Sequence, residues 1–119
     1  MKKVNKHEDL TVWQKSHQLT LDVFRTVNDV DPILFEFMKE SALRVVSKIA
    51  EGISKVDSEE QIADLQDAKG ATARLSTQVL LSAELDYIKK DYADQLYAQS
   101  MEVAKMLSGL IKYLANPKK

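Results

Sequence analysis

Four stretches of this chain repeat apolar residues every three or four positions, and none alternates them at every second position. The first period belongs to helices and the second to half-buried strands, so the chain is confined to an all-α fold. Turn signals separate the stretches into helices of about 9–28, 32–51, 58–87 and 91–115. In the first, Asp9 can cap the opening amides, and Leu10, Trp13, His17, Leu21 and Phe24 form a row. A second row, Val12, Leu19, Val23 and Val30, runs along another side of the same cylinder. Asp31-Pro32 opens helix two, because proline has no N–H to lose at a first helical position and aspartate can cap it. Leu34, Met38, Ser41, Val45 and Ile49 line one side of that helix, with Phe35, Leu43, Val46, Ala50 and Ile53 spread over the rest. Glu40 precedes Arg44 by four residues, a favourable helical ion pair. Gly52 is the expected stop, since glycine takes the left-handed C-terminal cap without a Cβ clash.

Ser58 followed by Gln61 reads as a capping box for helix three. Ile62, Leu65, Thr72, Leu75, Val79 and Leu85 carry its apolar side. Gly70 falls mid-helix, where glycine costs ~1 kcal/mol against alanine, so a close approach by a neighbouring backbone is expected there. Helix four opens at Asp91 with Asp94 a turn later, where the helix dipole favours negative charge, and Asn116-Pro117 ends it. Its row is Tyr92, Leu96, Val103, Leu107, Leu110 and Leu114. Short connections make consecutive helices antiparallel, an up-down-up-down four-helix bundle. At 119 residues this is one domain, 1–119, long enough to bury a real core, with Trp13 as an expected core anchor.

Helices one and two carry apolar residues on more than one side, wider than the single stripe a surface helix needs. One chain of this size cannot cover two faces of a surface helix, so the pattern implies self-association, with a fully buried central helix as the competing reading.

The chain holds no cysteine, which excludes disulfides and thiolate metal sites and suits a reducing cytoplasm. No segment approaches the ~18 uninterrupted apolar residues of a membrane span, and no apolar run follows the basic start to make a signal peptide. Seventeen basic and eighteen acidic side chains give a formal charge of −1, without the basic excess usual in phosphate-binding proteins.

Catalytic chemistry finds no foothold. A di-metal bundle needs Glu-x-x-His on two helices, yet His7 and His17 are preceded at that spacing by Val4 and Gln14. His17 lies one turn from Trp13 and Leu21 and reads as a semi-buried packing residue; His7 reads as polar residue ahead of the helix. The three glycines, Gly52, Gly70 and Gly109, build neither a phosphate loop nor a dinucleotide fingerprint. No serine sits in a nucleophile elbow, and the acidic run from Asp57 to Asp64 belongs to a helix start. No enzyme, cofactor or metal is expected.

Asp9-Leu10-x-Val12-Trp13-Gln14-Lys15, Ile49-Ala50-Glu51-Gly52, Ala68-Lys69-Gly70 and Thr77-Gln78 occur in an order and spacing that resembles the 23S rRNA-intervening sequence protein family. The resemblance spans roughly residues 9–88 and implies a four-helix bundle assembled as a ring-like homopentamer. Relatives include accessory proteins of diversity-generating retroelements, basic pentamers that bind reverse transcriptase and nucleic acid. This chain departs from that pattern. The family's Gln-Ile-Arg-Arg-Ala is here Phe37 to Ser41, with Glu40 at a basic position. Val46 and Lys48 replace a usual proline and asparagine, and Arg74 and Ser76 stand where acidic residues flank Leu75. Glu40 and Arg74 could therefore be a swapped pair across the bundle.

Two functions follow as expectations. One is a nucleic-acid-associated accessory protein that binds RNA or DNA, or a reverse transcriptase, through Lys2, Lys3, Lys6, Lys15, Lys39 and Lys48 multiplied by ring symmetry. The other is a structural or protein-interaction module with no phosphate contact, which the near-neutral charge favours.

Overall fold

A computed structural model describes residues 7–26 and 31–116. A short 3-10 turn, His7–Asp9, leads into α1 (Thr11–Thr26), followed by α2 (Pro32–Ser54), α3 (Ser58–Glu84) and α4 (Lys90–Ala115). No strand occurs among the described residues. Each helix packs on its chain neighbours and α1 closes against α4, so α1 and α3 stand diagonally opposite. The result is an antiparallel four-helix bundle measuring 47 × 25 × 21 Å. The termini of the described chain share one end with the α2–α3 connection. The other end holds the α3–α4 turn.

The helix ends show which local signals decided. At α2, Asp31 Oδ1 accepts from Ile33 N at 2.9 Å and Leu34 N at 3.3 Å, with Pro32 at the first position, as the sequence requires. The start of α1 is later than the Asp9 cap implied, because the His7–Asp9 turn hands over through Leu10, whose carbonyl takes Gln14 N at 3.0 Å. The expected extension to residue 28 and the turn at 29–30 lie outside the described residues. At α3 the cap is Asp57 rather than Ser58: its carboxylate accepts Glu60 N at 3.1 Å. An ionised carboxylate is acceptor-only and suits the positive helix end better than a hydroxyl. Gln61 instead donates to Lys55 O at 2.9 Å.

Helix α3 stops at Glu84, three residues short of the expected end. Asp86 turns left-handed at φ 61°, and its N–H and that of Tyr87 bond back to Ala83 O and Ser82 O at 3.0 and 2.8 Å. This is a Schellman ending with aspartate in the place glycine usually takes.

The glycines reverse their expected roles. Gly52 does not stop α2, which continues to Ser54, and its backbone is not left-handed. It is buried, and a Cβ there would lie 3.1 Å from Asp64 Cβ and 3.2 Å from Gln61 O. Gly52 is thus the point of close approach between α2 and α3. Gly70 is exposed and nothing lies within 4 Å of where its Cβ would be.

The core is built from Leu19 and Val23 of α1, Met38, Val45 and Ile49 of α2, Leu65, Leu75 and Val79 of α3, and Leu96, Val103 and Leu107 of α4. In α1 the inward row is therefore Val12, Leu19 and Val23. The row through Trp13 lies at the seam, so Trp13 is half-buried against the core's edge instead of inside it. His17 is exposed and stacks on the indole at 4.7 Å, while His7 tilts against it at 5.3 Å. Buried hydroxyls stitch the layers. Thr20 Oγ1 is 2.8 Å from Ser16 O and 3.2 Å from Ala42 O, Ser41 donates to Gln78 Oε1 at 2.9 Å, and Ser82 to Met38 Sδ at 3.3 Å. Each buried polar atom satisfied this way avoids a desolvation penalty.

Candidate functional site

The α2–α3 seam beyond mid-bundle is ionic. Arg44 grips Asp67 with two contacts, Nε to Oδ1 at 2.9 Å and Nη2 to Oδ2 at 2.6 Å. Lys48 Nζ lies 3.1 Å from Glu51 and 3.7 Å from both Asp64 and Asp67. Lys55 Nζ closes the row 2.6 Å from the buried Asp64 Oδ2, an ionic contact without hydrogen-bond alignment. These contacts move proton affinities together. The Arg44 bond holds Asp67 below the usual carboxylate range, and the same bond raises Arg44. Lys48 is raised first by its bond to Glu51, and Lys55 first by Asp64. Arg44 has thus turned away from the expected Glu40 pair toward α3. Glu40 and Arg74 form no ion pair with each other.

The lysines proposed from sequence are scattered over this architecture. Lys48 sits in the acidic seam. Lys39 is nine positions earlier, about two and a half turns, and so on the opposite side of α2. There its ammonium meets Glu36 at 2.8 Å and lies over the rings of Phe35 and Phe24 at 4.4 and 5.5 Å. Lys15 on α1 reaches Glu102 of α4 at 3.4 Å. Lys2, Lys3 and Lys6 lie outside the described residues. Each described lysine of the set therefore has a carboxylate beside it, and the three share no face.

At the opposite end the surface carries exposed apolar side chains among its charges. Ile33 and Phe37, one turn apart on α2, are 68% and 53% exposed, and Leu81 and Leu85 on α3 are 45% and 54% exposed. The Met38–Ser82 contact sets these two pairs at the same level of the bundle. Around the corner, α3 and α4 enclose a cleft of about 970 Å³ at their turn. Leu80, Ala83, Ile88 and Ala93 line it with three tyrosines, Tyr87, Tyr92 and Tyr97. The sequence does not announce the cleft, because Tyr92 fits the helical row and the expected end of helix three takes in Tyr87. The clustering of tyrosines across the turn was the available signal.

Ser16, Thr72, Ser76 and Ser100 spend their hydroxyls on helix carbonyls. Among the described residues no three His, Asp or Glu side chains are placed to hold a metal ion. No described helix is long and apolar enough to cross a membrane.

Comparison with known proteins meets the same architecture. The model of the 23S rRNA-intervening sequence protein family matches residues 8–109. The chain belongs to that family. A crystal structure of a protein of unknown function from the S23 ribosomal protein family of Bacteroides thetaiotaomicron superposes with a TM-score of 0.82. It is 17% identical, and the match covers 86% of this chain and 99% of that one, which shows the shared fold. No curated protein matches the chain. The family match extends through Gly109, deep into α4, whereas the sequence motifs end near residue 88.

Proposed function

We propose that this protein is a non-catalytic, cytoplasmic scaffold subunit that self-assembles, as a ring-like pentamer, and presents its outer surface to a protein partner. The observation that carries the reading is the apolar end: Ile33, Phe37, Leu81 and Leu85 remain exposed on a bundle whose core is already complete. Contiguous exposed apolar surface marks an interaction site in proteins of this kind. A pentamer needs one patch to meet a different patch on the next subunit, and the α2–α3 strip of the apolar end supplies one of the two. The sequence's breadth of apolar residues on α1 and α2 has the same consequence.

The nucleic-acid reading has less support, because Lys15, Lys39 and Lys48 each face a carboxylate and lie on different sides. Light scattering on the purified chain tests the main reading. A mass near five times 13.5 kDa is expected; a stable single subunit at high concentration defeats it. A titration with single-stranded RNA at low salt tests the alternative, since phosphate binding must appear there and weaken steeply as salt rises.

A further inference from the structure

The tyrosine-lined cleft at the α3–α4 turn has a second property, the charge of its rim. Glu84, Asp86 and Asp94 border it against Lys89 and Lys90. Lys90 is already engaged, its Nζ 2.9 Å from Asp94 Oδ2, and that contact raises its pKa. Glu84 and Asp86 then outnumber Lys89, and Asp91 adds further negative charge in the first turn of α4. Tyrosine faces attract cations through the ring quadrupole. The walls are apolar, aromatic and acid-rimmed. We propose that this cleft binds an apolar segment of a partner protein that carries arginine or lysine.

Size and shape favour a protein segment over a small molecule. The volume of about 970 Å³ stands at the top of the usual ligand range, roughly 300–1,000 Å³. Tyr92 and Tyr97 are still 43% and 36% exposed, so the trough is open along one side. A small ligand there would stay largely in water, whereas pockets usually bury roughly 70–90% of one. A chain segment can lay its apolar residues on Leu80 and Ala93 and bring a cationic head to the tyrosines and carboxylates. Asp86 supports the assignment. It occupies a left-handed position where glycine costs less, and it is one of the residues that line the cleft.

The inference does not rest on self-association, because the cleft is complete within one chain. The test uses the full chain and a fluorescein-labelled peptide of alternating leucine and arginine, read by anisotropy, with light scattering reporting the assembly state in parallel. Saturable binding at one peptide per chain is expected. Twins with glutamate for arginine, or serine for leucine, should bind about tenfold more weakly or worse, the scale of one lost ionic or apolar anchor. Tyr92→Ser with Tyr97→Ser should weaken binding to the same degree. Should that double variant lose helicity, Glu84→Lys, at an exposed position, carries the same expectation. Asp86→Gly separates binding from folding: it should raise the melting temperature while weakening the peptide several-fold. Equal binding of the arginine and glutamate peptides, unchanged binding by the cleft variants, or tighter binding of a single-stranded oligonucleotide than of the arginine peptide would each overturn the assignment.

Discussion

The two ends of the bundle solve the same packing problem in opposite ways. Near the α2–α3 connection, Gly52 lets the two backbones approach, and the space outside the core is filled by Arg44, Lys48 and Lys55 set against Asp64 and Asp67. At the other end, Phe24, Ile33, Phe37, Leu80, Leu81 and Leu85 are all exposed. A solvated ionic seam belongs to a finished surface, and its exposed pairs contribute little to stability. An exposed apolar end is unfinished until something covers it. On the proposed reading, assembly uses the apolar end, although Val56 and Tyr113 near the ionic end are exposed as well.

The largest effect that could break this contrast concerns assembly. Phe37→Asp with Leu81→Asp should convert the assembled protein to single subunits by light scattering, with helicity by circular dichroism nearly unchanged. Asp67→Lys at the ionic seam should leave the mass as it was. If both variants assemble equally well, the apolar end is not the interface. The second effect concerns Trp13, which sits between the two regimes. Full-core aromatic truncations cost ~3–5 kcal/mol, and a half-buried indole should cost less, about 2–3 kcal/mol. Chemical denaturation of Trp13→Ala reads it; a loss below about 0.5 kcal/mol, within the range of ordinary surface changes, would put the indole outside the fold's energetics.

The two glycines sharpen the comparison with opposite signs. Gly70→Ala meets open space on a helix interior and should stabilise the protein by up to ~1 kcal/mol. Gly52→Ala gains the same helix propensity but forces its methyl against Gln61 O and Asp64 Cβ, which belong to the first turns of α3 and yield only if the helix shifts. Overpacking of that kind costs ~1–3 kcal/mol, so a net loss of about 1–2 kcal/mol is expected. Shifts of equal sign in the two denaturation midpoints would show that α2 and α3 are not held close at Gly52.

These residues also show what a sequence can disclose. The helix count, the bundle and the inward row of α2 were legible because period and cap chemistry act locally: Asp31-Pro32 needs only its own neighbours to work. Gly52 and Gly70 were exchanged because a glycine's meaning depends on what stands opposite it, and no local pattern contains that. Trp13 was drawn inward by its size, although Val12, Leu19 and Val23 form an equally good row; only the position of α2 and α4 decides between them. The end of α3 was misplaced because Asp86 takes the left-handed position without the glycine that usually announces it. The cleft was hidden for a related reason. Tyr87, Tyr92 and Tyr97 lie on two helices, and it is the turn's geometry that gathers them.

The smallest effect is electrostatic, and it tests whether the ionic end contributes at all. Asp67 has its native pKa lowered, chiefly by its bond to Arg44. A carboxyl that ionises more readily in the folded state stabilises that state wherever the unfolded carboxylate is also charged, above about pH 4. Below that, the unfolded chain takes up the proton first, so stability falls as pH drops toward the lower native value. Arg44 stays charged throughout, so the change belongs to Asp67 alone. The difference in urea midpoint between the wild type and Asp67→Asn should therefore be flat from pH 7 to about pH 5, then shrink below about pH 4. It should also diminish as salt screens the pair. A difference that persists or grows in acid would mean that Asp67 holds the seam by shape, leaving charge no part in fixing α2 against α3.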